Sequence, residues 1–376
     1  MGILACLIPA VISPYYCVIG GWVLKYFVTY VIGQASEAAM DGAFTGFIAS
    51  SVSPIVYFVI FLEMTVAVVA FGVQGGIEKI SKVLMPILFV MVIGIAIFSL
   101  TLSHEDADGT VRTGLQGLKF YLIPNFSTMT WSSVANTMVD ALGQMFYSLS
   151  IAMGVLIAYG SYMQDKDSIV QGVNRIQFFD TGVAFFAGMM VVPAVYAFMG
   201  SEGMSAGPGL MFISMPKIFA SMGSVGSVLG IVFFLIVIFA ALTSSISMLE
   251  AVVTSFCDQL GWSRRRSLFV SSIVFLVVGV VVCLGYNMLY FEAALPNGTV
   301  GQILDIFDYA SNNVLMPVLA ILTCVLVGWI IGPQKVIEEV EKDGNRFPRK
   351  KIYIVMIKYI APLFILALLL QAFDIF

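Results

Sequence analysis

Polar residues in this chain fall in narrow bands between long apolar runs. A helix crosses a bilayer's hydrocarbon core with about 20 apolar residues. Nine runs reach that length: 3–32, 54–73, 83–103, 138–163, 178–200, 225–257, 267–290, 301–331 and 352–375. The pattern predicts an all-α membrane protein with nine spanning helices and one transmembrane unit over residues 1–376. Several runs exceed the bilayer's need, which predicts tilt or a break in the helix. The first run begins almost at Met1 and meets no charge before Lys25, so it reads as a spanning helix and not a cleaved leader. The stretch from Met204 to Gly223 is moderately apolar and carries Gly, Pro and Ser, which predicts a re-entrant or surface hairpin.

Composition agrees with lipid as the main solvent. Of 376 residues, 60% are apolar and 11% charged, where a soluble chain carries nearer a quarter. Mean hydropathy is +1.00. The net charge of -4 and the short basic run Arg264–Arg266 give a nucleic acid nothing to hold. Cys6, Cys17, Cys257, Cys283 and Cys324 are scattered, without metal-ligand spacing or a disulfide framework. His104 is the one histidine and lies in a polar stretch, so histidine catalysis is not expected.

Lys and Arg in the loops set the orientation. One alternate set of loops holds thirteen, namely Lys79, Lys82, Lys166, Arg175, Arg264, Arg265, Arg266, Lys335, Lys342, Arg346, Arg349, Lys350 and Lys351. The other holds three, Arg112, Lys119 and Lys217, beside the acidic stretch His104-Glu105-Asp106-Ala107-Asp108. The first set is therefore read as cytoplasmic, with the amino terminus inside and the carboxyl terminus outside.

Polar groups at membrane depth are costly, so their positions are informative. The string Gly143-Gln144-Met145-Phe146-Tyr147-Ser148-Leu149-Ser150-Ile151-Ala152-Met153-Gly154 sets small hydroxyl residues beside glycine near mid-membrane. A helix that unwinds there exposes carbonyls fit for sodium or an ammonium group; close helix packing through small residues is the alternative. Thr243-Ser244-Ser245 offers an alkali-cation site or hydroxyls bonded back to their own helix. Asp180 is read at the start of the fifth segment and Asp258 at the end of the sixth, two turns after Glu250. Asp305 and Asp308 lie one turn apart in the eighth segment, and Glu63 lies well inside the second. Each acid faces an aqueous path, snorkels to water or is held by an internal hydrogen bond. Pro14-Tyr15-Tyr16 places two phenols near mid-span, either as core or as donors to a carboxylate.

Together these strings resemble the neurotransmitter:sodium symporter family, especially its bacterial amino-acid transporters. The carrying residues are Pro14-Tyr15-Tyr16 through Gly21-Trp22, the string from Gly143 to Ser150, Tyr159-Gly160-Ser161-Tyr162, Leu242-Thr243-Ser244-Ser245 through Leu249-Glu250 to Asp258, and Asp308. Their order and spacing match along the whole chain. The resemblance implies a leucine-transporter-like bundle of two inverted repeats, with this chain running from the family's third helix to its eleventh. The first-helix signature Gly-Asn-x-x-Trp-Arg-Phe-Pro does not occur, so the first two family helices are expected to be missing.

Residue by residue, the resemblance implies that Tyr16 bonds the substrate carboxylate. Ile12, Tyr147, Ser150, Met153 and Met248 form the pocket walls, with Ser244 also touching the substrate. Ser148 and Asp180 match the sodium site beside the substrate; Ala240 by its carbonyl, Thr243 and Ser244 match a second. Asp308 and Gln144 belong to the outer gate, Asp258 and Tyr162 to the inner. Ala152 stands where many relatives have glycine. A carboxylate at Asp180 supplies negative charge that animal members take from chloride, so chloride is not expected to be needed. The implied function is sodium-driven symport of a neutral, hydrophobic amino acid across the cell membrane by alternating access, with no chemistry on the substrate. The alternative is a truncated, transport-inactive member or a membrane scaffold.

Overall fold

In the computed structural model, α1 (Gly2–Val31) is the first of eight helices, among the described residues, long and apolar enough to cross a membrane. The others are α2 (Ser53–Ala70), α3 (Gly75–Leu100), α6 (Ile169–Met199), α8 (Ser224–Leu260), α9 (Arg264–Leu284), α10 (Ile303–Ile330) and α11 (Lys350–Gln371). The structure describes residues 1–376 apart from 106–108, 125, 127–128, 165–166, 205–206, 343–345, 376 and the side chain of Gln74. Asp106, Ala107 and Asp108 of the acidic stretch, Lys166 of the basic loops, and Ser205 and Ala206 of the hairpin lie outside the described residues.

The remaining predicted run, 138–163, is not one helix. It divides into α4 (Trp131–Ser148) and α5 (Val155–Gly160), joined by non-helical backbone. Of the two readings of its serines and glycines, unwinding or close packing of a continuous helix, the structure has the unwound one.

The predicted 178–200 run starts too late. Ser168 caps α6 by accepting from the Gln171 amide at 3.5 Å, and polar first turns carry the helix outside the apolar run. Asp180 therefore lies three turns inside α6 and not at its start.

The hairpin contains α7 (Leu210–Ser221), whose Phe212, Met215, Ile218 and Phe219 are buried. His104 sits in a small hairpin, β1 (Ser103–Glu105) against β2 (Val111–Thr113), and stacks on Phe198 at 4.7 Å between ring centroids. A second short pair, β3 (Ala293–Ala294) with β4 (Val300–Gly301), precedes α10.

α1 and α8 run through the main core, with α2 and α9 against them, while α3 packs on α6 and α8. Gly21 permits the close approach of α1 to α2: a Cβ there would stand 2.6 Å from the Phe58 amide nitrogen. Thr65 on α2 and Ser245 on α8 share a buried hydrogen bond of 2.9 Å. Aromatic residues join α1 to α7 and α8. Trp22 meets Phe212 edge-on at 6.0 Å, and Phe44 stacks on Phe212 at 4.9 Å.

At the same end, Lys217 donates to Asp41 at 2.5 Å. Its hydrogen bond and charge hold that carboxyl below the usual carboxylate range, although Asp41 is fully exposed. α10 and α11 share a smaller cluster of Ala320, Cys324 and Ile365.

Candidate functional site

Two hydroxyls and a carboxylate converge where α4 ends. The backbone reverses hand there: Ser150, Ala152 and Gly154 have φ of 52°, 61° and 73°. Only glycine adopts that region without strain, so Ser150 and Ala152 each store about 1 kcal/mol or more. Gly154 is required twice over, because a Cβ would stand 2.3 Å from the Ala5 carbonyl oxygen of α1. The break carries Ser148 and Ser150 to the edge of a cavity of about 600 Å³ between α1, α3, α6 and α8.

Six of the seven residues assigned to the substrate line this cavity: Tyr16, Tyr147, Ser150, Met153, Ser244 and Met248. Ile12 does not; it is wholly buried in the core. Ser148, Asp180 and Thr243 also line it. Ser148 Oγ donates to Asp180 Oδ1 at 2.7 Å, bringing together the first pair of expected sodium ligands. Tyr16 and Ser244 face the same cavity from α1 and α8.

The Thr-Ser-Ser run divides as three consecutive helical residues must. Ser245 points into the core toward Thr65, while Ser244 is exposed in the cavity. Thr243 bonds back to the carbonyls of Phe239 at 3.1 Å and Ala240 at 3.0 Å. The back-bonding alternative is thus realised at Thr243, while its oxygen keeps lone pairs for a cation. Among the described residues no cluster of three or more His, Cys, Asp or Glu exists to hold a metal ion. Carboxylate, hydroxyl and carbonyl oxygens are hard ligands and fit an alkali cation.

The gate residues lie apart from this cavity. Tyr147 lines it and also a second cavity of about 520 Å³ that includes Asp140, Asn312 and Gln371, so the phenol separates the two spaces. Next to that second cavity, Asp308 accepts from Tyr15 at 3.1 Å and from Asn312 at 2.6 Å. Asp305 is spent on capping α10, accepting from the Gln302 amide at 2.8 Å. Gln144 is exposed on α4.

At the opposite end Tyr162 meets Glu250, not Asp258. Its hydroxyl donates to Glu250 Oε1 at 2.8 Å and lies 2.7 Å from Thr254 Oγ1. Asp258 is exposed two turns further along α8. Glu63 is exposed on α2, with no hydrogen bond or ion pair among the described residues.

Reading the sequence alone missed the strongest polar tie. Glu250 is fully buried and accepts two bonds from Arg264, from Nη1 at 2.8 Å and Nη2 at 2.6 Å; Nη2 also donates to the Val69 carbonyl of α2 at 3.0 Å. The signal was present: an acid deep in a span calls for a partner, and Arg264 begins the next helix. Tyr159 and Ser247, joined at 2.7 Å on the cavity wall, also went unassigned.

Comparison with known proteins fits this geometry. Residues 48–376 match the family model described as Sodium:neurotransmitter symporter family. A sodium-dependent transporter of Bacillus subtilis, YhdH, is 31% identical over all of this chain and 79% of its own length. A sodium-dependent transporter of Haemophilus influenzae is 30% identical over 96% of this chain and 76% of its own. The crystal structure of MhsT in complex with L-phenylalanine superposes with a TM-score of 0.83 at 32% identity, covering 99% of this chain and 80% of that one. The chain belongs to the sodium:neurotransmitter symporter family, whose members are secondary transporters and not enzymes.

Proposed function

We propose that the 600 Å³ cavity binds a neutral, apolar amino acid together with sodium, and that the protein imports it across the cell membrane by alternating access. The observation that carries this reading is the convergence of Tyr16, Ser148, Asp180 and Ser244 on one cavity whose remaining walls include Met153 and Met248. A phenol can donate to the substrate carboxylate, and the oxygen cluster suits a cation. Among the described residues no Lys, Arg or His lines the cavity, and its acids, Asp180 and Glu78, lie with the sodium ligands and toward α3. The thioethers adapt to several apolar side chains. The likeness to MhsT bound to L-phenylalanine makes phenylalanine the first substrate to try. Loop charge supports an inward amino terminus, an outward carboxyl terminus and a cytoplasmic Arg264 end.

Thr243→Ala and Ser244→Ala are each expected to weaken sodium binding more than recognition of the amino acid. Each removes one hydroxyl oxygen and leaves the apolar walls in place. Sodium titrations of phenylalanine uptake should move to higher concentration by roughly tenfold, the worth of about one good hydrogen bond to a charged group. Sodium dependence unchanged in both variants removes that site from the proposal.

A second reading, a chain of this fold that does not transport, has one observation in its favour. The cavity is open along one side, where Ser148 and Ser244 are exposed. Alternating access needs a closed wall around substrate and ions. On that second reading residues 1–376 reconstituted by themselves show no sodium-driven accumulation of leucine, alanine or aromatic amino acids, whereas the first reading has them accumulate. Accumulation by that purified chain would mean that its own helices, alone or between copies, complete the wall.

A further inference from the structure

We propose that the basic start of α11 is a binding site for the phosphate of an anionic phospholipid, with the acyl chain laid along the helix below it. Residues 346–358 carry Arg346, Arg349, Lys350, Lys351 and Lys358 and no acid. Lys350 is taken by Glu341 at 3.1 Å, whereas no ion pair engages Arg346, Arg349 or Lys351 among the described residues, and all three are exposed. A cationic cluster directly beside a spanning helix attracts anionic lipid.

Three further features point to a lipid and not to a dissolved anion. Lys351 and Lys358 are seven residues apart on α11, about two turns in depth, with a wider π-helical turn at Met356–Ile360. Lys358 is fixed beside an exposed indole: Trp329 Nε1 donates to the Lys358 carbonyl at 3.3 Å, and the ammonium lies 5.6 Å from the ring centroid. Tyr359 meets Trp329 edge-on at 5.6 Å, and the two rings are 52% and 58% exposed. Trp and Tyr in that position mark the headgroup level of a bilayer. Beyond them Leu363 and Leu366 are exposed, on a helix whose apolar window is only 6% buried. Phosphate between Lys351 and Lys358, with its chain over Leu363 and Leu366, satisfies both the charges and the apolar face.

The test uses the full chain in neutral detergent and phospholipids brominated in the acyl chain, which quench nearby tryptophan. Trp329→Phe identifies the Trp329 component of the fluorescence. Brominated phosphatidylglycerol should quench that component at a markedly lower mole fraction than brominated phosphatidylcholine. Lys351→Gln and Lys358→Gln should each weaken the preference about fivefold, while the paired Lys→Arg variant keeps it. Excess inorganic phosphate should leave the quenching unchanged. Equal quenching by the two lipids, or a preference that survives both Gln substitutions in one chain, overturns the site. Loss of quenching on adding inorganic phosphate overturns the lipid assignment in favour of a small-anion site.

Discussion

Arg264→Ala is expected to destabilise the folded protein by about 3 kcal/mol, a change of about two orders of magnitude in the folded-to-unfolded ratio. Glu250 is completely buried, and Arg264 supplies two of its four hydrogen bonds and its counter-charge. Removing one member of a buried pair costs about 3–5 kcal/mol, because the remaining charge keeps its desolvation penalty. The Arg264 side chain is 34% exposed, so water enters once it is cut back and the lower end applies. Arg264→Lys should fall between the two, since an ammonium keeps the charge but loses the fork that reaches both carboxylate oxygens and the Val69 carbonyl. Glu250→Gln combined with Arg264→Ala should recover part of the loss, because no buried charge is stranded. Thermal unfolding of detergent-purified protein reads all three. Arg264→Ala as stable as the parent would mean that Glu250 is protonated or hydrated in the membrane. The tie joins α2, α8 and α9 to Tyr162 beyond α5, so the same variant should also loosen that end of the bundle.

Asp180→Asn is expected to abolish uptake in chloride-free medium or make it respond to chloride. The unmodified protein should take up substrate equally well in sodium chloride and in sodium gluconate. A sodium ion brought beside Ser148 and a zwitterion leaves one positive charge to be balanced in a partly desolvated site. Asp180 balances it at the 2.7 Å contact with Ser148. Opposite charges about 4 Å apart attract by about 4 kcal/mol at an effective dielectric constant near 20, so neutralising the acid can lower sodium affinity by about a hundredfold or more. Chloride bound beside the neutral amide of that variant would restore part of it. Loss of uptake by the unmodified protein when gluconate replaces chloride would contradict the charge-balance argument.

The legible parts of this molecule were those that solvent imposes one residue at a time. Apolar runs marked each of the eight long helices among the described residues, although α3 and α6 begin eight and nine residues before theirs, and the Ser148–Gly154 string marked where the remaining run breaks. Polar starts were less legible: α6 begins nine residues before its apolar run, since Gln171 and Arg175 are good helix formers in water and the Ser168 cap starts the helix there. Pairings across helices were not legible at all. Periodicity says which residues share a face, but not which helix that face meets. Tyr15 and Tyr16 are adjacent, yet one phenol reaches Asp308 and the other lines the cavity. Tyr162 likewise reaches Glu250 while Asp258 stays exposed, a choice set by how α5 and α8 cross.

The most direct test of the central claim is phenylalanine accumulation driven by a sodium gradient, in membrane vesicles from cells expressing the gene from its native locus. An inward sodium gradient should concentrate labelled phenylalanine inside the vesicles. Replacing sodium with choline, or dissipating the gradient with an ionophore, should abolish that accumulation. Asp180→Ala should abolish it in sodium as well. Accumulation that is indifferent to sodium and survives Asp180→Ala would contradict the assignment of Ser148, Asp180, Thr243 and Ser244 as the ion-coupled heart of this protein.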